Sequence, residues 1–144
     1  MQVLELMKTH VVTTTRDETL SHALDLMDLY QVDGLPVVDA EGCLCGMLTE
    51  QDISHRLLQD VVLDADDTAL LSALHRCAGI SGLRVADIMT EPAISISEAA
   101  DVTDAVLLLI RSQCKRLPVT NDAQRVVGTF HRVDVFQALL EGIV

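Results

Sequence analysis

A chain of 144 residues with 49% hydrophobic content has room for one ordinary domain or two small lobes sharing a core, and is too apolar for disorder. Its formal charge of −12, from 22 acidic and 10 basic residues, opposes binding to nucleic acid phosphates or anionic membranes. One Tyr, two Phe and no Trp leave few platforms for stacking single-stranded bases, so the core must come from Val, Leu, Ile, Ala and Met.

In chain order, a brief extended segment is expected at residues 11–13. Leu20, Ala23, Leu24 and Met27 then follow at the i, i+3, i+4, i+7 spacing of one helix face, behind the capping-type residues Asp17 and Thr19. Two β-rich runs, residues 35–39 and 44–49, flank the turn Asp39-Ala40-Glu41-Gly42 and read as a hairpin. Successive apolar residues such as Val37-Val38 predict that both faces of the strand are covered. A helix closes this stretch from about residue 51 to 59.

Residues 59–84 form a connector, acidic at Asp60, Asp64, Asp66 and Asp67, then helical in pattern through Leu70, Leu71, Leu74 and Cys77 until Gly79 and Gly82 stop it. The order of elements then returns. An extended segment is expected at 93–96, and a helix through Val102, Ala105, Val106 and Leu109 behind Ser97 and Asp101. Strands at 117–121 and 126–131 flank Asn121-Asp122-Ala123-Gln124, a turn without the glycine of its counterpart, and a helix runs from about 133 to 141.

The return is in register. Adding 82 to a residue number carries Leu6-Met7 onto Ile88-Met89, Leu35-Pro36-Val37 onto Leu117-Pro118-Val119, Gly46 onto Gly128 and Asp52 onto Asp134, with no insertion or deletion. The predicted organisation is therefore a first copy over residues 1–58, a connector over 59–84 and a second copy over 85–144. A duplicated unit of this size usually packs its apolar face against its twin, and the clefts where two lobes meet are natural ligand sites.

Cys43, Cys45, Cys77 and Cys114 have no CxxC or zinc-ligand spacing. Cys43 and Cys45 share one strand face, which suits a metal or a redox couple; the plainer reading is small apolar residues in a reducing compartment. The first twenty residues lack the basic start and apolar run of a secretory leader, and runs such as residues 105–110 are too short to span a bilayer, so the cytoplasm is the expected location.

Taken together, Leu6-Met7, Leu35-Pro36-Val37-Val38-Asp39 and Gly46-Met47-Leu48-Thr49-Glu50-Gln51-Asp52 resemble the cystathionine β-synthase (CBS) domain. They recur as Ile88-Met89-Thr90, Leu117-Pro118-Val119-Thr120-Asn121 and Gly128-Thr129-Phe130-His131-Arg132-Val133-Asp134, so the chain resembles a tandem CBS pair standing alone. The resemblance implies an α+β fold of two β-α-β-β-α repeats related by pseudo-two-fold symmetry, packed sheet to sheet with helices outside. It also implies a regulatory module that commonly forms a homodimer and whose clefts hold AMP, ADP, ATP or S-adenosylmethionine, with no required cofactor.

The candidate site residues have two readings each. Gly46 and Gly128 either let a ligand approach the strand backbone or mark a bulge or tight packing point. Thr49 and Asp52, at a strand-to-helix junction, can bond a phosphate and the two hydroxyls of a ribose, or can simply cap the helix. The resemblance favours the ribose role for Asp52 and Asp134, and carries over Thr13 and Ser95 as base- or phosphate-contacting positions. His131 stands where the first copy has Thr49, so its site loses a hydroxyl and gains an imidazole, which is either a pH-sensitive phosphate donor or an ordinary structural residue.

Charge divides the copies. Residues 1–58 set three basic side chains against ten acidic ones, whereas residues 85–144 set five against eight. Lys115, Arg116 and Arg132 lie close in sequence to the elements carrying His131 and Asp134, so the Asp134 site is expected to favour phosphorylated ligands and the Asp52 site to be weaker, empty or suited to an uncharged or cationic adenosyl group. The alternative is a solvated basic face. No nucleophile and base pair, metal-ligand cluster or phosphate loop points to an enzyme. The expected function is adenosyl-ligand sensing, acting on a regulated protein not identified by the sequence; the alternative is a scaffold with non-binding clefts.

Overall fold

The computed structural model describes residues 1–58 and 82–142. The predicted connector helix through Leu70, Leu71, Leu74 and Cys77, and its stop at Gly79, lie outside the described residues. Two compact units emerge: a terminal unit of Met1–Val11, Val38–Cys45 and Ala93–Val144, and a central unit of Val12–Val37 and Gly46–Pro92. Each unit thus combines most of the body of one sequence copy with the leading segment of the other, and the terminal unit also takes in Val38–Cys45, the turn of the first copy's hairpin.

In the central unit, helix α2 (Leu20–Tyr30) buries Leu20, Ala23 and Met27 of the predicted face, whereas Leu24, predicted on the same face, lies at its margin and is exposed. Thr19 caps it by accepting a hydrogen bond from the His22 N–H at 3.2 Å. Strands β1 (Gly34–Val38) and β2 (Leu44–Thr49) pair in a two-stranded sheet, and α3 (Glu50–Leu58) follows directly. Every residue of β1 is buried, as its unbroken apolar run predicts. Leu20, Leu35, Leu48 and Val85 are fully buried in one cluster, each leucine contributing about 1.5–3 kcal/mol by leaving water.

The terminal unit opens with the short helix α1 (Val3–Leu6), which the periodicity does not predict. Its order then follows the predicted second copy: β3 (Ile96–Ser97), α4 (Val102–Ser112), β4 (Arg116–Thr120), β5 (Val126–His131) and α5 (Arg132–Leu140). The sheet runs β3-β4-β5, with β3 parallel to β4 and β4 antiparallel to β5. Val3, Leu117, Val119 and Phe130 are fully buried in a second cluster. Asp101 caps α4 through the Thr103 N–H at 2.8 Å, a backbone hydrogen bond that holds its carboxyl below the usual range.

Both leading extended segments start later than the sequence predicts. In place of a strand over residues 11–13, only Thr14 bridges to Val37, and in place of 93–96 the strand is Ile96–Ser97. The same tight turn ends each one, with the Glu18 N–H donating to the Thr15 carbonyl and the Ala100 N–H to that of Ser97.

The two hairpin turns are built alike despite their different residues. Asp39 Oδ1 accepts from the N–H groups of Glu41 and Cys43, and Asn121 Oδ1 from those of Ala123 and Arg125. Gly42 takes φ +82°, and Gln124 takes φ 64° at the equivalent position of the turn that lacks a glycine. Among the described residues no helix is long and apolar enough to cross a membrane.

Thr14 is 4% exposed, and its hydroxyl has no hydrogen-bond partner among the described residues. An unsatisfied buried hydroxyl costs on the order of 1–3 kcal/mol. Thr14→Val keeps the shape and removes the hydroxyl, so its thermal melt is expected to rise by a few degrees. A lower melting temperature would show that the hydroxyl is bonded.

Candidate functional site

The junction of β2 and α3 fixes Asp52 from three directions. Its Oδ2 accepts from the Thr49 N–H at 2.9 Å and the Thr49 hydroxyl at 3.0 Å, while the Asp52 N–H is 3.2 Å from the same hydroxyl oxygen. This is reciprocal helix capping, so the capping role of both residues is in place. Oδ1 accepts from the Thr90 hydroxyl at 2.7 Å.

Thr90 reaches Asp52 because its backbone pairs with β2. The Met47 N–H donates to the Thr90 carbonyl at 3.0 Å and the Thr90 N–H to the Met47 carbonyl at 2.8 Å. That pairing needs Gly46, since a Cβ there would stand 2.6 Å from the Thr90 carbonyl oxygen. Glu91, the next residue, is ion-paired with Arg16.

The terminal unit repeats the plan at the junction of β5 and α5. Asp134 Oδ2 accepts from the His131 N–H at 3.1 Å, and Lys8 Nζ lies 3.7 Å from Oδ1. Lys8 is placed by reciprocal backbone hydrogen bonds with Thr129, both 2.9 Å. Here too the glycine serves close packing: a Cβ on Gly128 would stand 2.7 Å from the Lys8 carbonyl oxygen. The Asp134 side chain is 6% exposed, whereas that of Lys8 is 57% exposed.

The basic residues picked out in the sequence gather at the same end of the sheet. Arg116 pairs with His131 across β4 and β5, and the Arg132 N–H donates to the Lys115 carbonyl at 3.2 Å. Lys115 and Arg132 are exposed, and Arg116 and His131 are half-buried. Thr13 and Ser95 are half-buried, each one residue ahead of a residue that pairs with β1 or β4. Thr13, Gly46, Thr49 and Asp52 thus belong to the central unit, and Ser95, Lys115, Arg116, Gly128, His131, Arg132 and Asp134 to the terminal unit.

Lys8 and Thr90 escaped the sequence reading as site residues. Their signal was the register itself, since each directly follows the methionine of Leu6-Met7 or Ile88-Met89. Cys43 and Cys45 do not form a thiol pair: Cys43 Sγ donates to the Ala123 carbonyl and Cys45 Sγ to the Cys43 carbonyl. Cys43, Cys45 and Cys114 are free thiols, and Cys77 lies outside the described residues.

Known proteins share this pattern. The sequence pattern of the family described as CBS domain matches residues 3–59 and again residues 85–141. The CBS domain-containing protein CBSX1 of Arabidopsis thaliana is 29% identical over 92% of this chain and 59% of its own length. The uncharacterized protein MJ1426 of Methanocaldococcus jannaschii is 28% identical over 97% of this chain and 92% of its own. The inosine-5'-monophosphate dehydrogenase of M. jannaschii is 26% identical, but the chain spans 21% of that enzyme.

Among solved structures, CBSX2 in complex with AMP superposes with a TM-score of 0.75 at 23% identity, covering 97% of each chain. The CBS domain pair of MJ0100, in complex with 5'-methylthioadenosine and S-adenosyl-L-methionine, superposes with a TM-score of 0.74 at 22% identity, covering 99% of this chain and 97% of its own. The fold of this chain is therefore that of tandem pairs of this kind.

Proposed function

Since the chain belongs to the CBS domain family and carries the family's unit twice, we propose that it is a non-catalytic regulatory module that senses adenosine-containing ligands, namely AMP, ADP, ATP or S-adenosylmethionine. One observation carries this reading. At the same register in both copies, a carboxylate is held at a strand-to-helix junction, with Asp52 and Asp134 each fixed by a backbone N–H three residues earlier. A carboxylate has about four lone-pair sites, so Asp134, which accepts one N–H, keeps acceptors for the two hydroxyls of a ribose, whereas Asp52, which accepts three hydrogen bonds, does so only when the Thr90 hydroxyl gives way to the ligand. The AMP complex of CBSX2 and the adenosyl complexes of MJ0100 support the ligand class.

Sensing requires that the ligand bind one arrangement of the chain more tightly than another, so that a regulated protein or the dimer reads the shift. The likeness to inosine-5'-monophosphate dehydrogenase does not make the chain an enzyme, because the match spans 21% of that protein. A thermal-shift panel of AMP, ADP, ATP and S-adenosylmethionine tests the reading. At ligand concentrations about a hundredfold above Kd, the expected stabilisation is about 2.7 kcal/mol. No shift with any member of the panel would favour the scaffold, a reading to which the three hydrogen bonds already made by the Asp52 carboxylate lend some support.

We further propose a homodimer, supported by the exposed apolar stripe of α5. Val133, Phe136 and Leu140 are 53%, 59% and 88% exposed and recur at i, i+3, i+7. Phe136→Glu is expected to convert the dimer to a monomer in sedimentation equilibrium with the thermal melt little changed. A wild-type chain that sediments as a monomer would remove the dimer from the account. The net charge of −12 argues against nucleic acid partners, and the free thiols of Cys43, Cys45 and Cys114 fit a reducing, cytoplasmic setting.

A further inference from the structure

The two motif aspartates have different companions at one structurally equivalent position. The residue after the methionine of each leading segment meets the aspartate: Lys8 lies beside Asp134, and Thr90 beside Asp52. Their backbones are placed identically, through paired hydrogen bonds to Thr129 and Met47, which are themselves 82 residues apart. Only the side-chain chemistry differs.

Lys8 presents a mostly exposed ammonium 3.7 Å from a carboxylate that is almost wholly buried. An ammonium has three donors, and this geometry commits no more than one of them to Asp134. Arg132 follows His131 at the same junction and its N–H donates to the Lys115 carbonyl, but the cation placed at the Asp134 carboxylate itself is Lys8. Among the described residues no cation is ion-paired with Asp52. Thr90 contributes a neutral hydroxyl already given to Asp52, and the neighbouring Glu91 takes up Arg16.

We infer that Lys8 and Thr90 set the charge preference of the two sites. With Lys8, the Asp134 site selects an adenosyl ligand bearing an anionic group, a nucleotide phosphate; with Thr90, the Asp52 site takes an adenosyl ligand whose appended group is uncharged or cationic. The inference rests on the adenosyl-binding reading and assigns its selectivity to a residue supplied by the leading segment of the opposite sequence copy. A phosphate gains a charge-assisted hydrogen bond from the Lys8 ammonium, an interaction that salt weakens, whereas an uncharged nucleoside gains nothing from it.

The test exchanges the two residues. Lys8→Thr and Thr90→Lys each install the side chain that the chain itself carries at the equivalent position, and both residues join their strands through main-chain groups that the exchange leaves intact. The full chain and each variant are titrated calorimetrically with AMP, adenosine and S-adenosylmethionine at low and high salt. Lys8→Thr is expected to weaken AMP about tenfold, to leave adenosine within about twofold, and to flatten the salt dependence of AMP binding. Thr90→Lys is expected to strengthen AMP binding and weaken that of S-adenosylmethionine. If these compounds bind but the ratio of AMP to adenosine affinity is unchanged in Lys8→Thr, the selectivity inference falls alone. If none of them binds the wild-type chain, it falls together with the adenosyl-binding reading.

Discussion

Gly46→Ala is expected to cost about 2–4 kcal/mol of stability, and Gly128→Ala a similar amount. The added methyl would stand 2.6 Å from the Thr90 carbonyl oxygen in the first case and 2.7 Å from that of Lys8 in the second. The obstacle is backbone in both, and backbone cannot rotate away as the end of a flexible side chain can. Relief requires the leading segment to move off the strand, lengthening the paired hydrogen bonds of Met47 with Thr90 or Thr129 with Lys8. Gly82→Ala is the control, since a Cβ there meets nothing within 4 Å. Urea denaturation measures all three. A loss below about 1 kcal/mol at Gly46 and Gly128 would mean that the strands accommodate a side chain and that close packing does not explain these glycines.

Asp52→Ala and Asp134→Ala are expected to act on stability and binding together. Removing Asp52 leaves the Thr49 N–H, the Thr49 hydroxyl and the Thr90 hydroxyl without their acceptor. Removing Asp134 leaves the His131 N–H without its acceptor and Lys8 without its counter-ion. Each loss should cost about 1–2 kcal/mol, the usual value of a helix cap. The effect on ligand is larger. A carboxylate accepting two ribose hydroxyls supplies about 3 kcal/mol, so affinity at the altered site should fall by about a hundredfold. The readout is the stabilisation that saturating adenosine adds to each variant in denaturation, compared with the wild type. Undiminished stabilisation in both variants would show that these carboxylates are caps alone.

Much of the fold was legible because the duplication states it twice. Leu20, Ala23 and Met27 are buried where their helical spacing places them, and β2 and β5 have the predicted bounds. The left-handed residues were less visible. Gln31 and Gln113 end α2 and α4 at φ 53° and 57°, and Gln124 replaces a turn glycine, with no glycine at any of these positions to announce a left-handed backbone.

The largest omission concerned the leading segments. Register shows that Met7-Lys8 corresponds to Met89-Thr90, but not which body each segment folds against. In the structure residues 1–11 complete the unit that holds Asp134, and Thr90 the unit that holds Asp52. Hydrogen bonds that link Leu20 to Leu83 and Val102 to Met1 are long-range choices that no local pattern encodes. For the same reason Lys115, Arg116 and Arg132 were recognisable as a basic group from their sequence neighbourhood, whereas Lys8, more than a hundred residues from Asp134, was not. The alternatives at Thr49 and Asp52 also needed coordinates, because capping and ribose binding ask for the same residue types at the same spacing.

Calorimetric titration of AMP into the full chain, repeated with Asp134→Ala, tests the central claim most directly. The account predicts saturable binding to the wild-type chain that is lost or weakened about a hundredfold in the variant, under conditions where both are folded. An isotherm unchanged by Asp134→Ala, or the absence of saturable heat in the wild-type chain, would contradict it.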